Sequence, residues 1–325
     1  MKIGDLAPGP PKNVRTEGEI MTAWEGDRHK PLVSISCPTF NHIDYIEDAI
    51  RGFLIQETEF PFNVVIHDDA STDGTANVVR DYERRYPNII KGVYQDKNTY
   101  SQGIGRGRYM RPFLKGKYIA SCEGDDYWMD PKKLQIQVDF LEKNPEYVIS
   151  GHDAFILNDE RRVVSLSKLS MFRGENAKDL AADELIAIKG WVLSMARVYR
   201  NLNIFEEPES RFILNGDRFF LTRIGWFGKS KYHAEIRPAA YRQHGGGVWS
   251  LQSKDDRRAA AISSELWMAR YYRRIGRPDV ASLFDEKARI MLIKSSQTRE
   301  LVKEMWARVF PFRKLRKEIR AFWDS

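Results

Sequence analysis

Short apolar runs alternate with amphipathic segments along the first half of the chain. Four runs have strand length, are rich in β-branched or aromatic residues and are bounded by proline, glycine or acids: 32–37, 62–67, 89–94 and 118–122. Between and after these runs, apolar residues recur at helical spacing in three segments: 44–57, 75–85 and 132–143. Strands that alternate with helices predict a mainly parallel, doubly wound α/β sheet with right-handed crossovers.

Acidic residues follow two of the predicted strands. Asp68 and Asp69 come after the second strand, and Glu123, Asp125 and Asp126 come after the fourth. Because the carboxyl ends of parallel strands lie at the same edge of a sheet, we expect both groups to face one crevice. Mg²⁺ and Mn²⁺ prefer carboxylate ligands and keep part of their coordination shell for substrate phosphates. The pattern favours a metal and diphosphate site, with a solvated turn or a helix N-terminus as the simpler alternative.

The composition is that of a globular protein, and its basic charge is concentrated in the last segment. The chain has 325 residues, 42% of them hydrophobic, and a net charge of +7. We predict an irregular arm over 1–30, a main domain over 31–250 and a helical region over 251–325. Residues 301–323 interleave aromatic and basic side chains, which is typical of an amphipathic helix on a membrane surface. A helix packed on the protein with a solvated basic face is the alternative.

Three further features bear on where the protein resides. No apolar run reaches the ~18 residues of a membrane-spanning helix, and the N-terminal residues lack the apolar core of a signal peptide. Cys37 and Cys122 lie in strand-like apolar runs and are expected to be free buried thiols in a reducing compartment. We therefore predict a cytoplasmic protein that is peripheral at the inner face of the plasma membrane.

Three motifs carry a more specific pattern. They are Val33-Ser-Ile-Ser-Cys-Pro-Thr-Phe-Asn41, Ile66-His-Asp-Asp-Ala-Ser-Thr-Asp-Gly-Thr75 and Lys117-Tyr-Ile-Ala-Ser-Cys-Glu-Gly-Asp-Asp-Tyr-Trp128. In order and spacing they resemble the nucleotide-sugar-binding half of family 2 inverting glycosyltransferases with the GT-A fold. The resemblance is strong over 31–160 and weak over 190–250. It implies a GT-A domain over 31–250, with a nucleotide-sugar half over 31–130 and an acceptor half over 131–250.

The resemblance implies a nucleoside site at the first two motifs. The turn of Pro38, Thr39 and Phe40 would lie against the nucleoside. Asp69 would accept a hydrogen bond from the imide N–H of uracil or thymine. A carboxylate favours that ring donor, which cytosine lacks at the same position. The expected donor is a UDP- or dTDP-sugar.

The third motif and two later segments are implied to bind metal and diphosphate. Asp126 matches the family's ligand for Mn²⁺ or Mg²⁺, and Asp125 is placed toward ribose or a metal-bound water. Arg106, or Arg108 in the same loop, is expected to bind the diphosphate because guanidinium groups match phosphate geometry, although a solvated surface role fits either arginine equally. His244, beside three glycines, is expected to reach the metal or the diphosphate from a loop that closes over the site, with a simple turn as the alternative.

The acceptor side is implied by residues further along the chain. Asp217, at the start of an apolar helical segment, matches the general base that takes the acceptor's hydroxyl proton during inversion; a helix cap is the alternative. His152 occupies a position where the family places acceptor contacts, and it can also be structural. Trp249 is assigned to stacking on the sugar or the acceptor.

Together the motifs predict an inverting, metal-dependent glycosyltransferase that adds single sugars to a glycan or lipid-linked acceptor in surface-polysaccharide assembly. Single addition is expected because the chain lacks the Gln-x-x-Arg-Trp signature of processive synthases. A sugar nucleotidyltransferase would share the architecture, but it carries a glycine-rich basic loop where this chain has Pro38-Thr-Phe-Asn41. A non-catalytic nucleic-acid-binding protein would explain the basic tail but not the acids at two strand ends, which repel phosphates without a metal. No nucleic-acid partner is expected.

Overall fold

The computed structural model describes residues 1–100, 107–172, 174–202, 204, 207–245 and 253–293. The chain divides into two compact units. The first comprises Met1–Arg211 and Gly216–Gln252, and the second comprises Phe212–Asn215 and Ser253–Ser325. Three sequence-based predictions lie outside the described residues: Arg106, Trp249 and the basic tail over 301–323.

A seven-stranded mixed sheet forms the centre of the first unit. The strands of this sheet and of a smaller, three-stranded sheet are β1 Val33–Thr39, β2 Phe62–Asp68, β3 Ile90–Tyr94, β4 Tyr118–Ser121, β5 Tyr147–Gly151, β6 Ala154–Leu157, β7 Val163–Ser165, β8 Val198–Arg200, β9 Lys229–Tyr232 and β10 Ala239–Arg242. The large sheet has the order β3-β2-β1-β4-β8-β5-β9, and the small sheet has the order β10-β6-β7. Neighbours β3, β2, β1 and β4 are parallel, whereas β8 is antiparallel to β4 and β5. The prediction of a mainly parallel sheet is confirmed.

Helices flank the strands as the alternating pattern predicts. They are α1 Glu17–Thr22, α2 Ile46–Leu54, α3 Thr75–Arg85, α4 Gly107–Met110, α5 Lys133–Lys143, α6 Ala182–Ile186, α7 Gly216–Ile224, α8 Lys254–Arg274 and α9 Pro278–Ile293. Helix α3 has the predicted bounds. Helix α2 begins later than predicted because Tyr45, rather than Asp44, occupies its N-cap, without a side-chain hydrogen bond.

The core of the first unit lies on both faces of the parallel strands. On β1 the side chains of Val33, Ile35 and Cys37 are fully buried, as are Ile50 and Phe53 on α2. Strands that are covered on both faces are rich in apolar and β-branched residues, which is why their positions could be predicted from sequence. Each fully buried aliphatic or aromatic side chain contributes ~1.5–3 kcal/mol to stability. Both cysteines are buried and neither is in a disulfide, as predicted.

Within residues 1–30, which the sequence predicts to be an irregular arm, helix α1 and Trp24 contribute to the core of the first unit. Helix α1 begins with a capping box, in which the side chains of Thr16 and Glu19 each accept a hydrogen bond from the other residue's backbone N–H. Ile20 and Trp24 are buried, and the Trp24 ring packs edge-on to Phe62 with centroids 5.4 Å apart. Two buried apolar side chains give this segment enough contact to belong to the first unit.

The second unit contains the helical region predicted near the C-terminus. Helices α8 and α9 pack against each other, with the Tyr272 and Phe284 rings stacked 5.6 Å apart. Phe212 stacks on Trp267 of α8 at 4.2 Å between centroids. None of the helices in the described residues has the length and apolarity that crossing a membrane requires.

Gly116 occupies a close approach between β1 and β4, and its replacement is expected to destabilise the sheet. A Cβ at this position would lie 2.5 Å from the Ser34 N and 2.8 Å from the Tyr118 O. Because both are backbone atoms, Gly116→Ala should lower the free energy of unfolding by ~1–3 kcal/mol. Gly18→Ala on α1 meets nothing within 4 Å and serves as the control. Urea denaturation that ranks both variants equal to the wild type would contradict the prediction.

Candidate functional site

The carboxyl end of β1 joins the three sequence motifs. The Pro38 carbonyl accepts a hydrogen bond from the Gly124 N–H at 2.9 Å. The next carbonyl, that of Thr39, accepts one from the Asp69 N–H at 3.0 Å. Both acid-bearing loops are therefore fixed to one strand end, as the parallel sheet predicts.

A His–Asp–His cluster lies at this edge. The His244 Nε2 is 3.1 Å from the Asp125 Oδ2, and the His42 Nε2 is 3.7 Å from the same oxygen. The three ligand atoms lie within 4.8 Å of one another, and all three residues are partly buried. Three convergent ligands of this kind could hold a divalent metal ion. Asp125 and His244 were predicted as site residues from the sequence, whereas His42 was not.

His42 is held in place by the second motif. Asn41 adopts the left-handed conformation, with φ 52°. Its side-chain oxygen accepts a hydrogen bond from the Thr72 N–H at 2.8 Å, and the His42 N–H donates to the Thr75 Oγ1 at 2.9 Å. The signal for His42 was its position in the turn directly after β1, at the edge where ligands bind in such sheets.

The protonation of the cluster is set by burial and by its own charges. The hydrogen bond with Asp125 raises the pKa of His244, whereas burial lowers the pKa of His42. Burial would raise the pKa of Asp125, but the His244 hydrogen bond and the charge of His42 bring it below its usual value. Burial, followed by the charges of Asp125 and Glu123, raises the pKa of Asp126 well above its usual value. A bound cation would favour ionisation of both adjacent acids.

Asp126 is placed differently from the sequence-based assignment. It is buried, and its Oδ1 accepts the Arg242 N–H at 2.9 Å. The Arg242 guanidinium donates to the Asp125 carbonyl at 2.8 Å and to the Asp48 carboxylate. The histidines therefore converge on Asp125, whereas Asp126 anchors β10. This geometry favours Asp125 as the direct ligand, where the motif had favoured Asp126.

The predicted nucleoside residues surround the end of β1. Thr39 is buried and Phe40 is exposed. The Asp69 Oδ1 accepts hydrogen bonds from the Thr99 N–H and Oγ1, and its Oδ2 accepts the Tyr100 N–H at 2.9 Å. Burial would raise the pKa of Asp69, but these donors lower it, so the side chain is a carboxylate. Recognition of the base by Asp69 stays a prediction.

Asp217 lies in the first turn of α7 and is half-exposed. The Arg197 Nη1 lies 3.2 Å from its Oδ1, and the Arg197 Nε donates to the Ser121 Oγ at 3.0 Å. Arg197 is buried and also packs on the Phe220 ring. This arginine connects Asp217 to the strand that carries the acids. Arg197 was not predicted as a site residue, since no local sequence pattern distinguishes it.

His152 lies in the interior. It is 2% exposed, and its Nδ1 lies 2.9 Å from the Asp153 carbonyl. Burial, and then the nearby charge of Lys133, lower its pKa well below the usual value. A buried neutral imidazole offers no surface to an acceptor, so this geometry does not support the predicted contact.

Proteins of known sequence are similar to part of this chain. An uncharacterised protein of Mycobacterium tuberculosis (strain ATCC 25618 / H37Rv) is 33% identical over 231 residues, which cover 70% of this chain and 62% of that protein. A Bacillus subtilis (strain 168) protein with the provisional name teichuronic acid biosynthesis glycosyltransferase TuaG is 33% identical over 133 residues. That match covers 41% of this chain and 49% of TuaG. The chain therefore spans between about half and three fifths of these relatives.

Solved structures show the same fold. S. aureus TarS 1–349 in complex with UDP has a TM-score of 0.54 at 18% identity, covering 82% of this chain and 73% of that chain. Its complex with UDP-GlcNAc has a TM-score of 0.51 at 19% identity, covering 74% and 72%. The predicted GT-A fold is confirmed. The model of the family described as glycosyl transferase family 2 matches residues 34–201, more than half of the chain, and the chain therefore belongs to that family.

Proposed function

We propose that the chain is an inverting, metal-dependent glycosyltransferase that moves one sugar from a UDP- or dTDP-sugar to a hydroxyl of a glycan or lipid-linked acceptor. The observation that carries this proposal is the convergence of Asp125, His42 and His244 at the carboxyl edge of the parallel sheet. Family membership makes sugar transfer the natural chemistry for such a site. The solved complexes of S. aureus TarS with UDP and with UDP-GlcNAc are consistent with a uridine donor.

The cluster fits a divalent cation with mixed ligand preference. Two imidazoles and one carboxylate suit Mn²⁺ better than Mg²⁺, which favours oxygen ligands alone. When bound, such an ion would neutralise charge on the departing nucleoside diphosphate. Because ligands must be deprotonated, protons compete with the metal for His244, whose pKa is raised. Metal affinity should therefore fall as the solution becomes more acidic.

Asp217 is suited to act as the base. An inverting transfer needs one carboxylate to receive the acceptor's hydroxyl proton while the sugar is attacked from the opposite face. Arg197 holds one Asp217 oxygen, which fixes the carboxylate while its other oxygen stays available to a proton. The position in the first turn of α7 leaves it open to an acceptor from solution.

Surface-polysaccharide assembly is the process we favour for this activity. The name of TuaG places that relative in teichuronic acid biosynthesis. The segment 301–323, which lies outside the described residues, interleaves basic and aromatic side chains that suit an anionic membrane surface. A lipid-linked acceptor at the cytoplasmic face of the membrane would suit both features.

Nucleotide titration tests the proposed site. Calorimetry with UDP, dTDP, GDP and CDP, with and without Mn²⁺, should show Mn²⁺-dependent binding of UDP or dTDP alone. Asp125→Asn should weaken that binding at least ~10-fold, because it removes a metal ligand. Asp81→Asn, which changes an exposed carboxylate paired with Arg84 on α3, is the control. Nucleotide affinity that is the same with and without Mn²⁺, or that is unchanged in Asp125→Asn, would contradict the proposal of a metal site.

A further inference from the structure

The side chain of Lys168 places an amine beside β10, the strand that is hydrogen-bonded to Asp126. Lys168 follows β7, and its N–H donates to the Ala154 carbonyl at 2.8 Å. Its Nζ lies 3.1 Å from the centroid of the Tyr241 ring. Tyr241 precedes Arg242, whose backbone N–H binds Asp126. The main chain and an aromatic ring thus fix the amine at the edge that carries the carboxylates.

The amine lies in the field of acids from both halves of the site. Burial lowers the pKa of Lys168, and the charges of Asp126, Glu123 and Asp217 oppose that change. Asp126 has the largest of these opposing effects, and Asp217, the proposed base, also contributes. The amine is therefore influenced by the charges of groups assigned to the donor and to the acceptor.

The N–H groups of the Lys168 ammonium have no hydrogen-bond acceptor in the described part of the chain. Arg242 donates to the Asp125 carbonyl and to Asp48, and Arg197 donates to Ser121 and Asp217. The Lys168 Nζ, in contrast, contacts the Tyr241 ring but makes no hydrogen bond or ion pair with any residue that the structure describes. A partly buried ammonium group without a hydrogen-bond acceptor or a paired anion incurs a desolvation cost that an anionic ligand would offset.

We propose that Lys168 binds the β-phosphate of the nucleotide-sugar and stabilises the charge that develops on it as the sugar is transferred. This inference rests on the proposed function. In the transfer, the acceptor oxygen forms a bond to the anomeric carbon, and the bond from that carbon to the phosphate oxygen breaks. The electron pair goes to the β-phosphate, and the hydroxyl proton goes to Asp217. An ammonium group favours the diphosphate product more than the glycosylated donor because the charge on the phosphate increases.

Ligands that differ in their phosphates test the inference. In Mn²⁺, calorimetry of Lys168→Gln with UDP, UMP and uridine should show ~10-fold weaker binding of UDP, with UMP and uridine unchanged, because only UDP carries a β-phosphate. If the nucleotide titration proposed above shows binding of dTDP rather than UDP, then dTDP, dTMP and thymidine are used in place of UDP, UMP and uridine. Lys168→Arg, which keeps the charge, should recover part of the affinity. The kcat of Lys168→Gln should also fall, since the charge on the β-phosphate increases between the bound donor and the transition state.

Controls separate this inference from the proposed function. Lys178→Gln removes a lysine that pairs with Glu184 on the surface and should bind all three ligands as the wild type does. Unchanged UDP binding by Lys168→Gln, equal losses for UDP and uridine, or a change only in the acceptor KM would each overturn the assignment to the β-phosphate. A wild-type protein that binds no nucleotide with Mn²⁺ would overturn the proposed function and this inference with it.

Discussion

Asp217→Asn is expected to lower the rate of sugar transfer by ~10²–10⁴-fold and to leave nucleotide affinity unchanged. The substitution keeps the shape of the side chain but removes its ability to accept a proton near neutral pH. Asp217 has no hydrogen bond to the His–Asp–His cluster among the described contacts, so donor binding should not depend on its charge. The measurement is UDP or dTDP release from the selected donor in the presence of acceptor, with nucleotide affinity measured by calorimetry.

The matched control for this substitution is Asp183→Asn. Asp183 is exposed in the first turn of α6, just as Asp217 stands in the first turn of α7. Both variants therefore lose a favourable interaction with a helix N-terminus, worth ~0.3–1 kcal/mol, and only one loses the proposed base. Because Asp217→Asn also weakens the pair with the buried Arg197, unfolding should be measured in parallel. Transfer by Asp217→Asn at more than a tenth of the wild-type rate would rule out its role as the base.

The parallel half of the fold could be predicted because its signals are local. Strands β1 and β2 are short runs that contain several β-branched residues and are buried along most of their length, and turn residues mark where they end. Strand β8 carries no such signal, since it has three residues and forms by pairing antiparallel to β4 and β5. A strand that short is specified by its neighbours in space, and sequence patterns do not contain them.

The candidate site shows the same division between local and distant determinants. Asp125, Asp217 and His244 could be proposed because each stands in a recognisable motif or loop. His42 joins the cluster only because the Asn41 turn and Thr75 direct it toward Asp125. Arg197 reaches Asp217 from a different strand. Contacts between distant segments depend on the assembled sheet, so residue order alone could not reveal them.

A buried lysine gives the second large effect that we expect. Lys133 on α5 is fully buried; its Nζ donates to the Gln137 Oε1 at 2.7 Å and lies 4.0 Å from the centroid of the Trp128 ring. Burial lowers the pKa of Lys133 to about 7, with the charges of Cys122 and Asp130 acting in the opposite direction. The apolar spacing over 132–143 predicts a helix that includes this residue, but it does not indicate that the lysine is buried.

Lys133→Met is expected to stabilise the protein by ~2–4 kcal/mol at pH 7. The ordinary pKa of this group is 10.5 and its folded pKa is about 7, so between these values the unfolded chain binds more protons than the folded protein. Wild-type stability should therefore decrease as the pH falls from about 10 to about 7, and level off below that, while the Lys133→Met profile lacks this slope. Urea denaturation across that range measures both effects, and Lys132→Met, at the exposed neighbouring position, is the control.

The full shift in the pKa of Lys133 sets an upper limit on the gain in stability, because Lys133→Met also loses the hydrogen bond to Gln137 and the contact of the ammonium with Trp128. Parallel pH profiles for the wild type and Lys133→Met would show that Lys133 is charged in the folded protein across this range, and the buried amine would then need a compensating partner.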